Sequence, residues 1–286
     1  MTRSYRLAVA GRAANWWPAP LAELASSREL LANLTLREIR GKYKRTMLGQ
    51  LWSLLNPVAQ MLTYSAVFSI LLRSTPPPGS PSHLDVFALW LTCALLPWLF
   101  FSNVLNVGMT SVISNSNLIQ KVYFPRVALV ISSMLALLFT FSIEMSVLVV
   151  ALLLFGGSPL LYLPVTIFFM LLLALFGLGF ALMLAVANVY FRDTQHFVPI
   201  VLQVLFYAAP IIYPIQVLAT SGHGRLIPYY RLNPIERFTE VFRNTLYDGR
   251  MPTLANTLYV SAWALITLVV GYLVFLRYEG RLAEEL

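Results

Sequence analysis

The chain has 286 residues, of which 58% are hydrophobic and 11% charged. Soluble domains carry about 25% charged residues, so this balance excludes a soluble globular protein and requires helices in lipid. The net charge of +8 gives no reason to invoke nucleic acid, because nine of the twenty Lys and Arg precede Thr46, where anionic lipid headgroups account for them.

Residues 1–27 read as a cytoplasmic extension. They do not read as a signal peptide, since Arg3, Arg6 and Arg12 interrupt any apolar core ahead of Trp16-Trp17-Pro18. Residues 28–48 predict an amphipathic interface helix. Thr35-x-x-Glu38 has the form of a capping box at its start. Leu36, Ile39, Tyr43 and Met47 would share one face, with Arg37, Lys44 and Arg45 opposite, the pattern of a helix at the headgroup boundary. Such a segment is either a juxtamembrane anchor or a docking platform for a cytoplasmic partner.

Apolar stretches at 49–72, 84–107, 127–155, 164–187, 197–218 and 255–276 each approach the ~20 residues a spanning helix needs. The expected fold is an all-α integral membrane protein with a six-span domain at 49–276 and a cytoplasmic tail at 277–286. Most Lys and Arg fall on the side of the N-terminus, which predicts that both termini are cytoplasmic. Pro97 interrupts the second span. Gly177, Ala181 and Ala185 give the fourth a small-residue face for close packing. Pro199, Pro210 and Pro214 predict that the outer half of the fifth is broken.

After the fifth span, Asn233-Pro234-Ile235-Glu236 has the form of an N-cap, an N1 proline and an acidic first turn. Ile235, Phe238, Val241, Phe242 and Leu246 then form an apolar face ending at Gly249. This predicts an extracytoplasmic helix, carrying Phe238 and Phe242, that rests on or re-enters the outer leaflet. No internal repeat is visible, which counts against transporter folds built from inverted halves.

Catalytic chemistry is sparse. Cys93 lies alone in an apolar run, and His83, His196 and His223 are far apart, so neither a disulfide nor a metal site is expected. Glu144 is the one acid deep within a span. It reads as a protonated packing residue or as a group facing a hydrated path. An enzyme acting on lipid-linked sugars would need paired carboxylates or a metal cluster, and no catalytic residue is predicted. No GxxxxGK[ST] loop occurs in the chain.

Gly49-x-Leu51-Trp52-Ser53-Leu54-Leu55-Asn56-Pro57, following the basic run from Arg37 to Gly49, resembles the ABC-2 membrane subunits of O-antigen, teichoic-acid and galactan exporters. The likeness continues through Asn117 to Pro125, Asn188 to Asp193, Tyr213-Pro214 and Asn233-Pro234, covering about residues 28–276. It implies a half-transporter: a homodimer working with two copies of an ABC nucleotide-binding subunit that holds ATP and Mg, in a bacterial plasma membrane. In such exporters a lipid-linked glycan passes between the protomers. The resemblance assigns ATPase docking to Arg37, Lys44, Lys121, Tyr123, Phe124, Arg126, Tyr190, Phe191, Arg192 and Asp193. Candidates for a polymer channel are Trp52, Tyr64, Phe68, Phe139, Glu144 and Tyr213. A permease for a drug or small lipid shares this expected fold and is the main rival.

The purified chain by itself is expected to release no phosphate from ATP, because it has no phosphate-binding loop. Phosphate release measured with and without its ATPase partner checks this, and robust hydrolysis by this polypeptide alone would overturn the two-chain arrangement.

Overall fold

The structure is a computed structural model that describes residues 28–42, 44, 46–64, 66–67, 77–122, 124–217, 222, 224–282 and 285. In chain order its helices are α1 (Arg28–Lys42), α2 (Trp52–Tyr64), α3 (Phe87–Ser114), α4 (Ser116–Lys121), α5 (Val127–Leu154), α6 (Leu163–Tyr190), α7 (Thr194–Ala208), α8 (Ile227–Tyr230), α9 (Pro234–Phe242) and α10 (Leu254–Glu279). A π-helical turn, Arg243–Asp248, continues α9. No strand occurs among the described residues.

α3, α5, α6 and α10 are long and apolar enough to cross a membrane. They pack in the order α10–α6–α3–α5, and α3 is the most enclosed of them. Their bounds agree closely with four of the expected spans. α7, at 15 residues, extends only about 22 Å at 1.5 Å per residue. It stops at Ala208, just before Pro210 and Pro214, as the prolines lead one to expect. For the first expected span the structure gives α2; residues 65 and 68–76, and with them Phe68, lie outside the described residues.

The helices approach one another most closely along α6. Gly179 sits against the backbone of Thr267 and Leu268 on α10, and Gly271 sits against Gly179, so closely that a Cβ at either position would collide with main chain. On another face, Gly177 lies under Val104, and a Cβ at Gly108 would come within 2.6 Å of the Ala181 Cβ. The Gly177–Ala181–Ala185 face is therefore the α3 contact. Close packing of this kind is how helices associate in lipid, where dispersion between well-fitted surfaces replaces the hydrophobic drive.

One feature of α1 corrects the sequence reading and a second adds to it. The helix already runs from Arg28, so Thr35 lies in its interior and its hydroxyl donates to the Leu31 carbonyl, 2.8 Å away. The Thr35–Glu38 capping box does not form, because a residue inside a helix finds the i−4 carbonyl first. The face turned to the protein is one that the amphipathic pattern did not mark. Leu34 is buried with Leu30 and Leu31 beside it, while Leu36 and Met47 are exposed. α1 packs along α5, and Lys42 Nζ reaches Thr140 Oγ1 at 3.5 Å. Tyr43 lies outside the described residues.

α9 begins as its sequence indicates. The Asn233 side chain accepts a hydrogen bond from the Ile235 N–H at 3.0 Å, and Pro234 follows at N1. Ile235, Phe238, Val241, Phe242 and Leu246 are all buried. Gly249 ends the segment in the left-handed region at φ 68°, where a residue without Cβ is unstrained.

Gly179→Ala and Gly271→Ala are each expected to lower the melting temperature of the purified protein sharply. Overpacking costs about 1–3 kcal/mol where side chains can shift, and here the obstacle is backbone. Gly41→Ala, which meets open space, should leave stability unchanged. Thermal unfolding in detergent checks all three, and an unchanged melting temperature for Gly271→Ala would show that α6 and α10 are not held at this distance.

Candidate functional site

Polar residues at helical spacing on an otherwise apolar helix mark the middle of the molecule. Trp98, Ser102 and Asn106 recur every four residues along α3 and so share one face. They line a groove of about 350 Å³ closed at its sides by Tyr64 of α2 and by Gln203, Phe206 and Tyr207 of α7. Asn106 Nδ2 donates to the Ser102 carbonyl at 2.9 Å. Trp98 packs on Phe206 with ring centroids 5.8 Å apart. Aromatic faces beside amide and hydroxyl groups suit a polar ligand that also presents apolar ring surface.

Of the expected channel residues, the structure brings Tyr64 to this groove and puts Tyr213 nearby, its hydroxyl donating to the Tyr207 carbonyl at 2.9 Å. Trp52 is exposed at the start of α2. Phe139 is exposed on α5, and Glu144 lies on the same helix one turn beyond the Thr140 that meets Lys42. Neither lines the groove. Trp98, Ser102, Asn106, Gln203 and Tyr207 were missed from the sequence, although the four-residue ladder on α3 was there to be read.

A second, apolar cavity of about 800 Å³ opens on the other side of α7, lined by Phe101, Phe176, Phe180, Phe197, Ile235 and Trp263 among others. Its aromatic wall is continuous: Phe101 stacks on Phe176 at 5.3 Å, and Phe176 meets Phe238 of α9 at the same distance. Phe176 is near the middle of α6, so α9 reaches well down the length of the bundle.

At the end of the bundle that carries the α4–α5 and α6–α7 loops, three elements are tied together. The Arg126 N–H donates to Glu279 Oε1 at 2.7 Å, and the Arg126 guanidinium bonds the Glu279 carbonyl. Tyr190 packs edge-on against Tyr278 at 5.7 Å. Arg37 of α1 donates to Asn115 Oδ1 at 2.5 Å. Below these contacts, Asn188 is buried and its amide donates to the Met109 carbonyl at 3.2 Å.

The residues assigned to docking divide by direction. Phe191 is 72% exposed, and Lys44, Lys121, Arg192 and Asp193 are exposed with it. Phe124 is buried and Tyr190 is turned inward onto α10. Lys121, Phe124 and Arg126 border a surface cavity of about 200 Å³. Tyr123 lies outside the described residues.

The opposite end is capped by the π turn. Arg243 lies 3.6 Å over the Trp90 ring and donates to the carbonyls of Pro210 at 2.8 Å and Ile211 at 2.6 Å. One guanidinium therefore joins α3, the π turn and the break after α7. Arg237 joins α9 to α10 through Glu240 at 3.2 Å and Asn256 at 2.7 Å. Tyr247 donates to the Leu84 carbonyl at 2.8 Å. Burial pushes the Asp248 carboxyl up from its ordinary range, while Arg250, 3.0 Å away, pulls it back. A π turn inserts one extra residue per turn and re-aims the side chains that follow. None of this was foreseen beyond the helix itself, because Arg243 reads in sequence as one more loop cation.

Arg243→Lys is expected to destabilise the protein by about 1.5–3 kcal/mol, since an ammonium keeps the charge but loses the stacking plane and the paired donors. Thermal unfolding checks this, and a melting temperature equal to that of the unaltered protein would show that the Trp90–Arg243 contact does not hold the cap.

Comparison with known proteins gives a consistent result. The family model for the ABC-2 type transporter matches residues 29–247. The O-antigen export system permease protein RfbA of Myxococcus xanthus is 28% identical over 264 residues, covering 92% of this chain and 98% of that one. The protein of the same name from Klebsiella pneumoniae is 27% identical, covering 90% and 95%. The polysialic acid transport protein KpsM of Escherichia coli is 25% identical, covering 83% and 89%.

Proposed function

The chain belongs to the ABC-2 type transporter family, and on that premise we propose that it is the permease subunit of an exporter of polyprenyl-diphosphate-linked polysaccharide. The polymer is of the O-antigen, teichoic-acid or galactan kind and moves from the cytoplasm to the outer face of a bacterial plasma membrane. The relatives named for O-antigen and polysialic acid export, matched over nearly their full lengths, support this reading.

The observation that carries it furthest is the polar groove on α3. Asn106 and Ser102 bond each other, but facing hydrocarbon the Gln203 amide and the remaining capacity of Asn106 and Ser102 would go unmet, at a cost of several kcal/mol for a bare amide. Water and polymer hydroxyls relieve that cost. α2 and α7 flank the groove with exposed apolar residues, among them Leu55, Leu62, Ile200 and Val204. A second copy of the chain set against those flanks would convert two grooves into one hydrated path. The homodimer follows from that argument. A small-lipid substrate would instead suit the aromatic cavity beside α7, and the polar groove would then have no use.

In this arrangement α2 and α7, each extended by adjoining residues, are the first and fifth of six spans. α9 and the π turn form a re-entrant helix at the outer leaflet, and both termini are cytoplasmic. ATP and Mg are held by a separate ATPase subunit. Arg37, Lys44, Lys121, Phe191, Arg192 and Asp193 then face that partner. Arg126 and Tyr190 connect the contacted loops to α10 from within, and Phe124 is buried near Arg126. Movement imposed on the loops would pass to α6 and α10 as rigid bodies.

Depleting the chain is expected to remove polymer from the cell surface and accumulate it, lipid-linked, inside. Unchanged surface polymer would overturn the export reading. Phe191→Ala is expected to weaken co-purification with the ATPase by about 2 kcal/mol, the usual loss for an anchoring aromatic, without changing the melting temperature. Tyr190→Ala should lower the melting temperature instead. Normal assembly and normal export with Phe191→Ala would pass the coupling role to the loop around Lys121.

A further inference from the structure

At the capped end of the bundle a cavity of about 200 Å³ lies between α9, the π turn, the start of α3 and the chain following α7. Gln216, Arg231, Glu236, Asn244 and Asp248 are among the residues that line it. Glu236 is 4% exposed, and its Oε2 accepts no hydrogen bond among the described residues. The nearest cation, Arg237, has its Nε 3.6 Å away but gives that N–H to the Arg231 carbonyl at 2.9 Å. Its Nη1 is committed to Glu240 and Asn256.

A buried carboxylate oxygen without a donor is costly, and the Nε and Nη1 donors of Arg237 beside it are engaged elsewhere. The open side is the cavity, so the missing donor has to come from what enters it. Acids and arginines alternate around that space, which selects the chemistry. A phosphate only accepts hydrogen bonds and would face Glu236 and Asp248. A metal ion would be opposed by Arg231 and Arg243. An apolar chain would leave the Glu236 oxygen unpaired. A sugar hydroxyl donates and accepts at once, and so can meet a carboxylate on one side and a guanidinium on the other.

We propose that this cavity is an exit-side subsite for one neutral sugar ring of the exported polymer, with Glu236 accepting a hydroxyl hydrogen bond and Arg231 donating one. The proposal rests on the polysaccharide-export reading above. A weak hold on each successive ring at the outer end would bias the chain against sliding back between strokes of the ATPase. A single ring fits the volume, so the subsite grips the polymer without trapping it.

The test uses the whole transporter in cells that make their own polymer. A photo-crosslinking residue is placed at Gln216, beside the cavity, and separately at Gln203, in the groove on α3. Adducts are detected with a lectin or antiserum against the cell's surface polysaccharide. Adducts are expected at both positions. Glu236→Gln should reduce the Gln216 adduct about tenfold, the effect of exchanging a charged acceptor for a neutral amide oxygen, and leave the Gln203 adduct unchanged. Arg231→Gln, on an exposed side chain, should act in the same direction. It supplies the reading if Glu236→Gln complexes fail to co-purify with the ATPase. No adduct at Gln216, or one that neither substitution alters, overturns the subsite even where the Gln203 adduct upholds export. Surface polymer that persists after the chain is depleted overturns the export reading itself.

Discussion

The architecture depends on how near α6 comes to its neighbours. Gly179 and Gly271 bring α6 and α10 together at main-chain distance, while Gly108 and Ala181 do the same for α6 and α3. In lipid, apolar side chains gain little by leaving one hydrocarbon environment for another, so association depends on fit. Small residues on two faces of one helix therefore make α6 the keystone of the bundle. The long helices are predominantly apolar, α5 and α6 most of all, with mean hydropathies of 2.4 and 2.7. Apolarity of that kind selects the membrane without selecting a partner. The glycines select the partners.

With α3, α6 and α10 fixed in this way, the polar ladder on α3 has a definite direction. Trp98, Ser102 and Asn106 point away from the α6 contact, into the space between α2 and α7. Those two helices pack only lightly on the rest, α2 mainly on α5 and α7 mainly on α3. The width of the groove is therefore set by where α2 and α7 sit against a tightly packed core. The core need not deform for the flanks to move.

The two ends of the bundle are held by different means. At one end, Arg126 with Glu279 and Tyr190 with Tyr278 gather α5, α6 and α10, so a push on either adjoining loop reaches the same rigid unit. At the other, Arg243 clamps three segments through backbone carbonyls and one indole face. The carbonyls of Pro210 and Ile211 lie just past Ala208, where the helix has ended and, with no N–H on Pro214, it cannot resume to take them. The break in α7 thus creates the groups that Arg243 requires. Near the same cap, Glu236 keeps a buried oxygen beside the cavity, which the networks of Arg237 and Arg250 leave unmet.

Sequence alone determined the elements. Hydropathy and length located α3, α5, α6 and α10, and prolines located the end of α7. Asn233-Pro234 and Gly249 bracketed α9 and its π turn, because caps and left-handed glycines are local chemistry that a short stretch of chain specifies. The Gly177–Ala181–Ala185 face was legible for the same reason, as a four-residue repeat on one helix. Its partner was not, and Gly179 was overlooked, because the need for glycine there lies in a residue 92 positions on, Gly271. The face of α1 that meets the protein was not legible, since several faces of that helix carry leucine or isoleucine, and only contact with α5 chooses Leu34. Phe191 and Tyr190, adjacent in sequence and alike in type, were assigned one role; the fold turns one outward and the other onto Tyr278. Arg243 had no signal at all, because a buried cation is tolerable only where distant segments deliver carbonyls and an aromatic face to one point. Local patterns follow from covalent neighbours, whereas these choices follow from which surfaces meet, and that is decided by tertiary packing.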